Sequence, residues 1–289
     1  MSTVAVDLPE GDESVRVDTI LGQVAVVLDG DFDGPVFLTV PEFGLTYQTC
    51  WQTFSLFARS STKTALCRCS FAHLSWPYDT QNEVTPDTLI EVLHQVVQHL
   101  HSRYPSFPSQ LFLMGVGTAG RTLLSFAARY QQMVRGVVLL NTGCGAQGWL
   151  EWAHVWLQSP VDAHLERLFC QLTKRNLLDY HRQEFLRLSS EHPKLADYLA
   201  LIDRRQQVAA DTARKLPDVP YLLVTGDLSS EEQDCAELRA RLLAAGIGDV
   251  ESVSLADVGA LACEEAPRRL LEPLELWLHG IGVRPRNSH

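Results

Sequence analysis

The stretch Gly115-Val116-Gly117-Thr118-Ala119-Gly120 has the residue types and spacing of two different chemistries. As G-x-G-x-x-G it is a turn whose glycines let the backbone approach a pyrophosphate at a helix N-terminus. As the frame of G-x-S-x-G it is a sharp strand-to-helix bend that presents a nucleophile, with small residues two before and two after it. The dinucleotide reading fails two tests. Several strand patterns precede the turn, whereas the fingerprint opens the first strand-helix-strand unit. The next strand pattern, Val137-Val138-Leu139-Leu140, runs into Asn141-Thr142 and lacks the acid that holds a ribose hydroxyl. No nicotinamide, flavin or other cofactor is expected.

The nucleophile reading meets a different obstacle. Gly115 and Ala119 satisfy the crowding rule, and their register puts Gly117 at the attacking position. Glycine has no side chain with which to attack a carbonyl. Thr118 carries a hydroxyl, but its register sets Val116 at the crowded position, and a threonine nucleophile needs a base to take its proton. The turn is expected to be a structural elbow without chemistry.

Hydrophobic patterning gives the elements that position this elbow. Strand patterns run over residues 23–28, 36–40, 64–69, 111–114 and 134–140. Thr85-Pro86-Asp87 starts a helix whose apolar stripe is Leu89, Val92, Leu93, Val96, Val97 and Leu100. Residues 121–130 form another helix. Alternating strands and helices imply a parallel sheet covered on both faces. The alternation stops after Asn141. From Gly148 to about Lys215 only helical patterns occur, and Trp149, Trp152 and Trp156 fall on one face. Strand patterns return at 220–225 and 250–255, with helices at 230–245 and 267–278. Residues 1–15 are expected to be a loose tail.

The 289 residues carry a net charge of −11, which argues against a nucleic-acid footprint. No apolar run approaches the about 18 residues of a membrane-spanning helix, and the N-terminus lacks a secretory pattern. The seven cysteines are scattered and odd in number. They are expected to be reduced thiols of a cytoplasmic protein, with no metal site; Cys67 and Cys69 would share one face of a strand.

Several segments together resemble one family. They are Phe37-Leu38-Thr39-Val40 with Phe43-Gly44-Leu45-Thr46-Tyr47-Gln48-Thr49-Cys50-Trp51, the elbow Gly115-Val116-Gly117, and Arg135-Gly136-Val137-Val138-Leu139-Leu140-Asn141. Gly148-Trp149-Leu150-Glu151-Trp152-Ala153, Leu255-Ala256-Asp257-Val258-Gly259-Ala260-Leu261 and Trp277-Leu278-His279-Gly280-Ile281-Gly282 complete the set. The chain is similar in these patches, from about residue 16 to 284, to the N-myc downstream-regulated (NDRG) family. That resemblance implies an α/β-hydrolase fold without hydrolase activity: a mostly parallel central sheet flanked by helices, with a helical cap insertion. The core would be residues 16–145 and 217–284, the cap 146–216, and 285–289 a short tail.

The resemblance also locates the other vestigial positions. Asp227 follows the strand after which a hydrolase places its acid, and it fits a turn or cap role equally well. The base histidine is replaced in Gly259-Ala260-Leu261, with Ala260 in its place and Glu265-Ala266-Pro267 keeping the frame. The loop that helps form the oxyanion site reads Pro41-Glu42-Phe43-Gly44, and Glu42 would repel a developing oxyanion. His73 is expected after a strand, and His94, His99 and His101 on or after a helix, without nucleophile-base spacing.

Ser70–Pro77 departs from the family's turn, Gly117-Thr118-Ala119-Gly120 departs from its glycine-rich elbow, and regulation through the long C-terminal tail of several members is not expected to carry over. The expected function is binding or scaffolding in signalling, stress response, differentiation or trafficking, through protein partners of unknown identity. The contact surface would be Trp149, Trp152 and Trp156. A small apolar ligand or lipid is a further expected partner, held by a pocket around Phe43, Gly44, Gly117 and Thr118. The alternatives are an esterase using Thr118 or an unrecognised pair, a cofactor-binding oxidoreductase, and a ligand sensor.

Overall fold

Residues apolar on both faces must lie between two layers. Three such runs, Val36–Val40 (β3), Leu111–Val116 (β5) and Tyr221–Gly226 (β7), are buried throughout and lie inside one eight-stranded sheet. The computed structural model describes residues 13–60, 64–145, 159–203 and 210–283. The other strands are β1 (Glu13–Thr19), β2 (Gly22–Asp29), β4 (Ser70–Ser75), β6 (Val134–Leu140) and β8 (Val250–Leu255). Their order is β1-β2-β4-β3-β5-β6-β7-β8. β1 pairs antiparallel with β2, and β2 with β4; every other pair is parallel. This is the mostly parallel α/β-hydrolase sheet.

Helices α1 (Tyr47–Cys50), α2 (Gln52–Ser60), α3 (Pro86–Arg103) and α4 (Gly117–Arg129) precede β6. Between β6 and β7 lie α5 (Pro160–Leu168), α6 (Arg175–Glu191), α7 (Leu195–Asp203) and α8 (Ala210–Arg214). After β7 come α9 (Glu232–Ala244), α10 (Ala262–Glu265) and α11 (Pro267–Gly280). α3 begins where its sequence demands. The Thr85 hydroxyl accepts the Thr88 N–H at 3.2 Å, and Pro86 occupies the first turn. All six residues of its apolar stripe are buried.

The core has two halves, one per face of the sheet. On one, Leu93 and Val96 of α3, Leu123 of α4 and Leu238 of α9 belong to one continuous buried cluster. On the other, Phe54 of α2 and Leu274 and Trp277 of α11 meet Phe37 and Phe112 of the sheet. Each buried side chain of this size contributes about 1.5–3 kcal/mol.

Three local expectations are corrected. Residues 13–15 belong to β1 and not to a tail: Val15 and Val17 point inward while Ser14, Arg16 and Asp18 point outward, an alternation too short to stand out beside the acidic segment before it. Residues 64–69 are not a strand. Ala65–Arg68 form a 3-10 turn, whose Ala65 and Leu66 N–H groups are held by the Glu275 carboxylate at 2.7 and 2.8 Å. Cys67 is therefore exposed and Cys69 buried, and they share no face. The strand is Ser70–Ser75 instead, which places His73 inside β4 and not after a strand. Ser70, His73 and Ser75 dilute the apolar pattern, so periodicity alone misses this strand.

Candidate functional site

The elbow is where the sequence puts it, between β5 and α4. Gly117 has φ +54°, in the left-handed region that favours glycine. The bend is crowded. A Cβ on Gly115 would lie 2.8 Å from Leu123 and 3.0 Å from Val40, and one on Gly120 would overlap the Thr142 hydroxyl. Small residues at 115 and 120 let α4 turn this tightly against β3 and β6.

Glu42, at the end of β3, fills the elbow. Its carboxylate accepts the Phe43 N–H at 2.7 Å, the Ala119 N–H at 3.3 Å and the Thr118 N–H in a short contact. The N–H after the nucleophile position and an N–H of the loop after β3 are the donors of an oxyanion hole in this fold. Glu42 thus occupies the donors it was expected to disable by repulsion. It also takes the space of the missing side chain, since a Cβ on Gly117 would overlap its Oε2. Val116, at the N-cap of α4, makes no side-chain cap, so Glu42 satisfies helix N–H groups that otherwise lack one.

Burial pushes the Glu42 carboxyl up to about 7. The N–H bonds from Phe43 and Thr118 oppose that rise, and the Glu231 carboxylate adds to it. Desolvation wins because the group has lost nearly all contact with water.

The remaining positions divide into those brought together and those left apart. Glu42, Gly117, Thr118, Asn141, His164 and Ala260 line one cavity of about 20 Å³, room for a single water. His164 comes from α5. Its Nε2 is buried with no hydrogen-bond partner among the described residues, and burial lowers its ring to about 3. Phe43 is packed into the core against Trp76 and Tyr198, at centroid distances of 5.4 and 5.8 Å. Gly44 donates its N–H to the Tyr78 hydroxyl at 2.9 Å and lies under the His164 ring. Asp227 is exposed beyond the end of β7 and accepts the Val258 N–H at 3.4 Å, a turn role. Trp149, Trp152 and Trp156 lie outside the described residues.

Two residues hold the loop where a base would sit. Asn141 has φ +44° at the end of β6. Its amide donates to the Ala260 carbonyl at 2.7 Å, and its Oδ1 accepts the Gly226 N–H at 3.1 Å. Glu265 accepts the Gly259 N–H at 2.7 Å and the Thr173 hydroxyl in a short contact, and the Leu261 N–H reaches the Leu168 carbonyl at 2.9 Å. The loop is thereby tied to the inserted helices as well as to the sheet.

A hydroxyl and an imidazole do meet elsewhere. His73 Nδ1 is 2.6 Å from the Thr39 hydroxyl, and Nε2 is 2.9 Å from the Ser55 hydroxyl. All three are buried, and burial lowers His73 to about 3. None of the three lines the elbow cavity, so this chain of bonds ties α2 to β3 and β4. His94 stacks on Tyr130 at 4.1 Å, and His101 contacts the Pro108 carbonyl at 2.6 Å. Among the described residues no three His, Cys, Asp or Glu side chains converge as metal ligands, and no helix is long and apolar enough to cross a membrane.

The fold is similar to that of solved esterases. A thermophilic esterase from Thermogutta terrifontis superposes with a TM-score of 0.71 at 19% identity, covering 93% of this chain and 99% of that one. The carboxylesterase CesB from Bacillus subtilis gives 0.71 at 15% identity, covering 94% and 93%. In sequence, Protein NDRG3 of Xenopus laevis is 27% identical over 94% of this chain and 76% of its own length. Protein NDL1 of Arabidopsis thaliana is 24% identical over 94% and 83%. The sequence profile of the Ndr family matches residues 14–285, nearly the whole chain. The chain belongs to the Ndr family.

Proposed function

We propose that this chain is a non-catalytic α/β-hydrolase-fold protein that works by binding. One observation carries the reading: the Glu42 carboxylate holds the oxyanion donors and fills the space above Gly117, where an attacking side chain would stand. Ala260 at the base position supports it, because triad members act as a unit and neither half works alone. Whenever Glu42 is ionised, its charge in that hole opposes the charge that acyl transfer develops.

Its setting is a cytoplasmic scaffold in signalling, stress response, differentiation or trafficking, as family resemblance implies. The inserted segment 146–216, with Trp149, Trp152 and Trp156, is its contact surface for protein partners. A broad panel of chromogenic esters tests the absence of catalysis. The expected result is no turnover above buffer. Turnover that survives stringent purification and falls in Thr118→Ala overturns the reading. Affinity capture from native extract, comparing the intact chain with one whose three tryptophans are replaced, tests the surface. Recovery of the same partners by both places the interface elsewhere.

A further inference from the structure

We propose that α10 is a proton-sensitive latch: it holds the inserted helices to the core while the Glu264 carboxyl is protonated against α2, and loosens them when that carboxyl ionises. The latch does not depend on the elbow and stands whether or not the chain is a scaffold.

α10 lies between two parts of the molecule, and its adjacent glutamates reach different neighbours. Glu265 reaches the inserted segment, accepting the Thr173 hydroxyl in a short contact and the Cys170 N–H at 3.5 Å. Leu261, just before α10, donates its N–H to the Leu168 carbonyl of α5 at 2.9 Å. Glu264 reaches the core. Its Oε2 accepts the Thr53 hydroxyl of α2 at 3.1 Å, and beside it the Cys263 sulfur lies 3.9 Å from that of Cys50 in α1. Leu261, Ala262 and Cys263 share one buried cluster with Leu168 and Phe169, against which Leu177 and Leu178 of α6 pack. A shift of α10 away from α2 therefore disturbs both sets of contacts.

A second observation gives the reason for movement. Glu264 Oε1 is buried and has no hydrogen-bond partner among the described residues. That seat costs a carboxylate far more than a neutral acid. Burial accordingly pushes the carboxyl up to about 7, with Thr53 opposing the rise. The titratable neighbours are Cys50 of α1, Tyr180 of α6, and Cys263 and Glu265 of α10 itself. Burial raises both Cys50 and Tyr180, so these two are neutral near pH 7. Of the nearby cations, Arg187 of α6 is engaged by Glu184 and Glu191 at 2.8 and 2.7 Å, and Arg268 of α11 lies over the Phe57 ring at 4.8 Å.

The sign follows from where the proton is held. An opened latch exposes Glu264 to water, where its ordinary value is 4.5, so the open state is ionised throughout pH 6–8. The closed state loses its proton only as pH rises through about 7. Opening therefore becomes about tenfold more frequent between pH 6 and pH 8.

Hydrogen exchange of the full chain at pH 6, 7 and 8 tests this, read at single amides and corrected for the pH dependence of intrinsic exchange. The reporters are the Phe169, Cys170, Leu261, Glu264 and Ala266 amides, with those of β5 as reference. Wild type is expected to show the tenfold rise at all five reporters, and Glu264→Gln to show none. The proposal falls if wild-type opening is the same at pH 6 and 8, or if Glu264→Gln keeps the rise. It also falls if the rise is confined to α10 and absent at Phe169 and Cys170. Reporters that open no more often than β5 would make the response one of global unfolding, and would equally overturn the latch. Should Glu264→Gln fail to fold, Glu264→Leu takes its place, with the same flat response expected. A positive ester panel removes the scaffold reading and leaves the latch standing.

Discussion

Replacing Glu42 by glutamine removes one ionisable group and leaves nearly the same volume between β3 and α4. In the folded chain its carboxyl is raised from 4.5 to about 7, chiefly by burial. The folded state therefore holds this proton more tightly than the unfolded chain. Below the unfolded value both states are protonated and the full contribution is present. As pH rises the unfolded chain ionises first, and stability falls until pH passes the folded value. At 1.36 kcal/mol for each pH unit, the whole loss is about 3 kcal/mol, of which about 2–3 kcal/mol falls between pH 5 and 8. Glu264 is buried and raised to about 7 as well, so the pH profile of wild type alone cannot isolate Glu42. The difference between wild type and Glu42→Gln does, because Glu264 is common to both. Urea unfolding of the two proteins at pH 5, 6, 7 and 8 gives that difference. Wild type should lose about 2–3 kcal/mol relative to Glu42→Gln over this range. A difference constant to within about 0.5 kcal/mol would refute the claim that desolvation outweighs the three N–H bonds.

Gly117→Ser should destabilise the chain by about 1–3 kcal/mol through overlap with Glu42, and Glu42→Gly in the same chain should recover part of that loss. Additive effects in chemical denaturation would show that the two positions do not share space. His73→Ala should cost about 2–4 kcal/mol, since it strands the buried Thr39 and Ser55 hydroxyls; a loss below about 1 kcal/mol counts against the bonding described. Asn141→Gly keeps the positive φ accessible but removes the amide bonds to Ala260 and Gly226. It should cost less than Asn141→Ala, which loses the bonds and strains the backbone; the reverse order of melting temperatures would contradict this. Glu265→Ala should speed limited proteolysis within α5–α7 while the sheet stays protected, and an unchanged cleavage rate would show that the Thr173 link holds nothing.

What was readable in the sequence was whatever repeats locally. The α3 stripe follows a 3.6-residue period and starts at a capping threonine, so its limits are set within the segment. β4 was not readable in this way, because its polar residues are satisfied by distant partners: Ser70 by the Phe32 N–H and His73 by Thr39 and Ser55. The expectation of an empty position came from the elbow frame at Gly117 and from the family resemblance at Ala260. The occupant of the elbow could not be read in either way. Glu42 is 75 positions from Gly117, and only the pairing of β3 with β5 brings them together. A signal was present nonetheless: Val116 is a poor cap for α4, so its N–H groups needed an acceptor from elsewhere. No role for the Asn141 side chain was legible in the sequence, where the residue only ended a strand pattern and a family-like segment. Its side chain instead joins β6, β7 and the loop carrying Ala260, a role defined by tertiary contact.

The proposed function requires that no hydroxyl among the described residues is an activated nucleophile. Incubation with a fluorophosphonate probe, read by intact mass, tests it most directly, because such a reagent marks a nucleophile whether or not a substrate is known. The account predicts an unchanged mass after prolonged exposure, with an active serine esterase labelled in parallel. One equivalent of adduct, mapped to Thr118 or Ser55 and lost on heat denaturation, would contradict it.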